Sequence, residues 1–222
     1  MNETTVELPD RLVPEPRWPA LIAVLAVGGL HTALPPYLII GPRWLFLSII
    51  LVLLVPTVIS YIKEYHLLNR VAGFVVTGAV TLGLIVSVVL LIGALPAHKE
   101  TPIDLLLSAA SLWFTNILVF ALWYWRLDAG GPHGRDQRRG HPEGAFLFPQ
   151  MTMLPEVKSA ADQEEWSPNF VDYLFLAFNT STAFSPTDAP VLRRWAKLLM
   201  MLQSLISLTV IALLAGRAVN IL

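Results

Sequence analysis

Long apolar runs separated by short polar connections set the organisation of this chain. The first extends from Trp18 to Leu34 and stops at Pro35-Pro36. Its 17 residues are marginal for a hydrocarbon layer that takes ~20 residues to cross, and Tyr37 to Ile40 extends it beyond the prolines. The second, Trp44 to Ile62, contains Pro56. In a membrane helix the backbone groups that proline frees find other partners, so a kink is expected there rather than an end. The third, Val71 to Leu95, holds 25 residues without a charge. The fourth, Ile103 to Trp125, opens near Asp104 and closes on Trp123-Tyr124-Trp125-Arg126, an aromatic and basic belt suited to the membrane interface. The pattern predicts four spanning helices within residues 18–126. A polar tail, 1–17, precedes them; it lacks the basic opening and small-residue cleavage site of a secretory signal, so the first span is expected to be retained.

The pattern then changes. Residues 127–168 are rich in glycine and proline, with Arg135, Arg138, Arg139 and Lys158 among seven acids from Asp128 to Glu165. Such a stretch buries too little apolar area for a core of its own. It is expected to be an extramembrane loop, touching the interface at Phe146-Leu147-Phe148. Residues 169–222 follow a third pattern. Phe170 to Phe184 is apolar but too short to span; Ser185 to Pro190 is polar; Arg193, Arg194 and Lys197 precede a last apolar run from Leu198 to Leu214. The predicted fold is an all-α integral membrane protein: four transmembrane helices, then a re-entrant pore-helix-like hairpin and a fifth transmembrane helix.

Lysine and arginine concentrate on cytoplasmic connections. With a cytoplasmic amino terminus, nine cations fall inside (Arg11, Arg17, Lys63, Arg70, Arg126, Arg135, Arg138, Arg139, Lys158) and two, Arg43 and Lys99, outside. The cluster from Arg193 to Lys197 obeys the same rule only if Phe170 to Phe184 dips in and returns to the same side.

Composition agrees with this pattern. Of 222 residues, 55% are hydrophobic and 14% charged, against roughly a quarter charged in soluble domains; mean hydropathy is +0.62. A net charge of −1 gives no basic field for nucleic acid. The absence of cysteine removes disulfides, thiolate catalysis and zinc–thiolate sites, and fits a multi-pass protein of a bacterial inner membrane. No G-x-S-x-G, H-E-x-x-H, P-loop or paired intramembrane aspartates occur, so neither an enzyme nor a cofactor or metal site is expected. Internal repeats and midplane charges, which mark transporters, are not evident.

Polar residues gather where a turn inside the membrane would fall: Asn179, Thr180, Ser181, Thr182, Ser185, Thr187 and Asp188. Non-helical backbone at that depth requires surrounding protein or a water-filled cavity, and selectivity filters are one use of it. Thr180-Ser-Thr182-Ala-Phe184-Ser-Pro-Thr-Asp188-Ala-Pro190, then Arg194 and a long apolar helix, resembles the pore segment of potassium-channel-like proteins. The resemblance covers about 50 residues, from Phe170 onward. It places Thr180 and Thr182 at the filter threonines, Phe184 near the filter core and Asp188 at the filter aspartate. Both filter glycines are missing, with Ala183, Ser185, Pro186 and Thr187 in that stretch. Glycine supplies the positive φ of a carbonyl ladder and proline fixes φ near −65°, so a filter selective for potassium is not expected. The blocks Phe120–Trp125, Asp128–Pro132, Phe146–Pro149 and Ala183–Asp188 also resemble a family of bacterial membrane proteins with no assigned activity.

Two readings of these residues stand side by side. Thr180, Thr182, Phe184, Ser185, Thr187 and Asp188 form a constriction, and Gln203, Ser204 and Ser207 line a pore on the last helix; or the same hydroxyls and amides bond helix to helix, with Asp188 as an interfacial cap. Asn116 reads as interhelical glue, Ala79-Gly83-Ser87 as a packing stripe, and His31 as a neutral hydrogen-bonded histidine, with a proton relay as the alternative. His133 and His141, flanking Asp136, are not expected to bind metal. The function expected from the resemblance is a pore-loop channel-like protein that passes inorganic cations as a homo-oligomer, a tetramer if it conducts. The alternative is a non-conducting scaffold or partner subunit. In known potassium channels the loop enters from outside; here charge places it inside, as in glutamate-receptor-type channels.

Overall fold

The computed structural model describes residues 15–94, 102–137, 144–154, 166–183 and 189–219. Among them the chain is all helical, with one isolated antiparallel bridge, Phe146 to Val191. The helices are α1 (Trp18–Ala33), α2 (Arg43–Ile62), α3 (His66–Ala94), α4 (Pro102–Leu127), α5 (Gly131–Asp136), α6 (Pro149–Thr152), α7 (Phe170–Thr182) and α8 (Arg194–Val219). Four of them, α2, α3, α4 and α8, are long and apolar enough to cross a membrane, which makes this a multi-pass membrane protein. Their outward faces carry exposed Val52, Leu82, Val89, Leu106, Leu198 and Leu205, as lipid-facing helices do.

Prolines set the first boundaries. Pro19 sits in the opening turn of α1, where a missing N–H costs nothing, and Pro35-Pro36 ends the helix. At 16 residues α1 is about 24 Å long and falls short of the hydrocarbon thickness. The expected first span is thus shorter than α2, α3, α4 and α8, and is continued by a tight turn over Pro36–Leu38. Leu38 is fully buried, and its carbonyl accepts Ser87 Oγ at 2.9 Å. Gly41, at φ 85°, then redirects the chain into α2. Pro56 lies within α2 without ending it. The α2–α3 turn passes through Glu64 in the left-handed region, closed by Tyr65 N donating to Ser60 O and by Asn69 Nδ2 donating to Thr57 O.

Helix α4 is the axis of the bundle, packed against α1, α3, α7 and α8. It runs antiparallel to α3, since Arg126 Nε bonds Thr77 Oγ1 and Trp123 Nε1 bonds Thr81 Oγ1. The stripe on α3 packs as expected of small residues: a Cβ on Gly83 would strike the Phe46 ring, and Ser87 reaches Leu38.

Two further pairings fix the direction of α7 and α8. Tyr173 near the start of α7 meets Asp128 beyond the end of α4, while Phe178 meets Trp113 deeper in α4. Gln203 meets Tyr124, and Ser207 meets Asn116. Both helices therefore start at the carboxyl-terminal end of α4 and run antiparallel to it, parallel to each other.

Candidate functional site

Helix α7 begins at a reciprocal cap: Asn169 Oδ1 accepts Val171 N, and Asp172 Oδ2 accepts Asn169 N. Such a box satisfies orphan donors at both residues and fixes where the helix starts. Its 13 residues make a rod of about 20 Å, buried along Phe170, Tyr173, Leu176, Ala177, Thr180 and Ser181.

The side chain that holds this rod is Gln203 of α8, fully buried. Its Nε2 donates to Ala177 O at 2.6 Å and to Ser181 Oγ at 2.7 Å, and its Oε1 accepts Tyr124 OH at 2.5 Å. One amide thus uses both ends to join α4, α7 and α8. Asn116 Nδ2 donates to Ser207 Oγ (2.8 Å) and to Gln203 O (3.1 Å), and Ser204 Oγ donates to Thr180 O at 3.3 Å. Gln203, Ser204 and Ser207, the polar edge of the last helix, are turned into the subunit and bonded there. Asn116 acts as the interhelical glue that its mid-span place suggests.

Thr180 is buried and back-bonds to Leu176 O, whereas Thr182 is exposed at the tip of α7 and back-bonds to Phe178 O and Asn179 O. Phe184, Ser185, Thr187 and Asp188 lie outside the described residues. On the far side of that stretch the chain is held beside the start of α7 and the end of α4. Leu147 N donates to Pro190 O at 3.0 Å and Leu192 N to Ala145 O at 2.7 Å. Beside α7 lies a small cavity of about 110 Å³, lined by Phe148, Gln150, Asp172 and Asn179.

Here lies a buried polar cluster that the sequence reading did not single out. Asp128 is fully buried; Oδ1 accepts Ala145 N, and Oδ2 accepts Tyr173 OH at 2.7 Å. Arg135 Nη1 donates to Trp125 O (2.9 Å) and Asp128 O (3.0 Å), and Nη2 donates to Glu15 Oε2 at 2.8 Å. Its guanidinium lies 5.0 Å above the Tyr173 ring. Glu15 Oε1 accepts Trp125 Nε1, and Arg17 pairs with Asp136. Burial pushes the Arg17 guanidinium below its usual pKa, opposed by Asp136 and Glu15. Around the cluster, Phe146 meets Tyr124, Tyr173 and Trp195, and Phe148 meets Trp166 and Tyr173.

The end of the tail and parts of 127–168 are thus packed against the helix ends. The backbone explains how the loop gets there. Ala129, at φ 49°, and Gly130 and Gly131, at φ 82° and 81°, reverse the chain immediately after α4 and carry Arg135 back over Asp128. The signal was the run Asp128-Ala129-Gly130-Gly131.

His31 packs on Phe46, its ring 4.2 Å away. His133 stacks on His66 at 3.8 Å, and His141 lies outside the described residues. Among the described residues no group of three metal-ligating side chains occurs. Comparisons with protein-family models, with curated proteins and with solved structures return no match.

Proposed function

We propose that the chain is a pore-loop channel-like protein of a bacterial inner membrane, passing inorganic cations as a homo-oligomer without classical potassium selectivity. The observation that carries this reading is the shared direction of α7 and α8. Both start beside the end of α4, so after Thr182 the chain comes back to the level at which α7 began. The seven steps from Ala183 to Pro190 reach about 24 Å when extended, enough to retrace the α7 rod. An outer helix, a half-length helix, an extended return and a long inner helix are the parts of a pore loop, in order. In this reading α4, α7 and α8 are the three helices, and the stretch that links α7 to α8 is the return. In this reading Thr182, Phe184, Ser185, Thr187 and Asp188 form the constriction. Thr180, Gln203, Ser204 and Ser207 hold the rod in place.

Charge supports the orientation. Among the described residues the cations Arg17, Lys63, Arg70, Arg126, Arg135, Arg193, Arg194 and Lys197 gather at the end where α7 and α8 start, against Arg43 at the far end. The positive-inside rule makes that end cytoplasmic, with the loop entering from inside.

One hairpin encloses no pore, so conduction requires several copies, four by resemblance. Exposed Leu198, Met201, Leu202, Leu205 and Leu208 give α8 an apolar outer face for such an assembly. The test is oligomeric state in nanodiscs followed by cation flux in liposomes. A tetramer whose flux changes in Thr182→Ala and Asp188→Ala is expected; a monomer sinks the reading. The second reading, a non-conducting scaffold, is favoured by one observation: the polar edge of α8 is spent on bonds within the subunit. A stable oligomer without flux would select it.

A further inference from the structure

A cavity of about 630 Å³ opens between the α2–α3 turn, the end of α4 and α5. Three guanidinium groups line it, those of Arg17, Arg70 and Arg126, together with the carboxylates of Glu64 and Asp136. Asp136 is already committed: one oxygen takes Arg17 Nη2 and the other accepts Glu15 N at 3.0 Å. Arg126 has no carboxylate partner among the described residues. Its Nε donates to Thr77 Oγ1 at 2.8 Å, and its cation lies over the Trp125 ring at 5.2 Å. The seat is built for it, because a Cβ on Gly73 would overlap the guanidinium. Arg17 keeps Nη1 buried without a hydrogen-bond partner, 3.6 Å from the nearest Glu15 oxygen. The stacked rings of His66 and His133 stand at the same wall.

Guanidinium groups with unspent donors recognise phosphate and carboxylate oxygens through forked, charge-assisted hydrogen bonds. The volume exceeds what a monatomic ion or lone carboxylate fills and lies within the range of small-molecule sites. Phe74, one turn deeper on α3 than Arg70, and the exposed Ile62 line the same space and offer apolar surface on its membrane side. We propose that this cavity binds a phosphate-bearing anion, seated between Arg126 and Arg70 at the depth of the lipid headgroups. The inference rests on the membrane assignment and is independent of conduction.

The test uses the full chain purified in neutral detergent and titrated with dioleoyl-phosphatidylglycerol, dioleoyl-phosphatidylcholine or inorganic phosphate. Native mass spectrometry reads stoichiometry, and the thermal midpoint reads stabilisation. One phosphatidylglycerol per chain is expected, bound at least about tenfold more tightly than phosphatidylcholine. Arg126→Gln and Arg70→Gln should each weaken it about tenfold, the loss of one charge-assisted hydrogen bond. Lys63→Gln, exposed and outside the cavity, should change affinity less than about twofold. Stabilisation by inorganic phosphate that Arg70→Gln abolishes, with no lipid preference, assigns a free phosphate as the source of the same chemistry. Equal binding of both lipids without a phosphate effect overturns the proposal. So does unchanged affinity in Arg70→Gln, an exposed residue whose removal leaves the packing intact.

Discussion

Glu15 and Arg135 form an ion pair whose side chains are only 8% and 2% exposed. At that depth the pair matters less for what it adds than for what its rupture leaves behind. Glu15→Gln strands the Arg135 guanidinium beside two carbonyls. It is expected to cost about 3–5 kcal/mol, the usual penalty for an uncompensated buried charge, read as a lower thermal midpoint of the purified protein. Tyr173→Phe removes one bond to the buried Asp128 carboxylate and should cost about 2 kcal/mol, the scale of a charged hydrogen bond. Gly131 is constrained in a different way. Its φ is 81°, and a Cβ there would stand 2.7 Å from Arg126 O. Gly131→Ala is therefore expected to destabilise by about 2 kcal/mol through backbone strain, whereas Gly130→Ala, with open space around it, meets only the conformational term. Equal losses at the two glycines would show that the close approach to Arg126 O does not matter.

Gln203 carries two of the hydrogen bonds that tie α7 to α8. Gln203→Leu keeps apolar bulk but removes the bonds to Ala177 O, Ser181 Oγ and Tyr124 OH. Faster amide hydrogen exchange across Phe170–Thr182 is expected, with α2 and α3 unchanged; uniform loosening would mean the bundle, not α7, depends on Gln203. Most of the elements were legible in the sequence. The apolar runs give α2 closely, α4 to within two residues at its end, and the start of α7 at Phe170. Helix α3 begins five residues before its apolar run, at His66, whose ring stacks on His133 of α5. The polar cluster around Asp128 and Arg135 was not legible. Its bonds join residues 120 apart, such as Glu15 and Arg135, or 45 apart, such as Asp128 and Tyr173. Local periodicity carries no information about such pairs. The same limit applies to Gln203, Ser204 and Ser207: spacing places them on one edge of α8 but does not say which neighbour that edge meets.

At the scale of the whole molecule, the helix ends divide into a cation-rich end and a cation-poor one. Helices α7 and α8 both start at the first, beside the Asp128–Arg135 cluster and the arginine-lined cavity. The account rests on the chain dipping from that end and returning to it. The chain has no cysteine, so single reporters can be placed freely, and Gln137 and Arg193 are both exposed. The direct measurement is labelling of Gln137→Cys and Arg193→Cys in oriented membrane vesicles with a membrane-impermeant maleimide. Reaction of both positions from the same face, the cytoplasmic one, is the expected result. Reaction from opposite faces would mean that Phe170–Thr182 leads the chain across the membrane, and would contradict the hairpin on which the proposed pore depends.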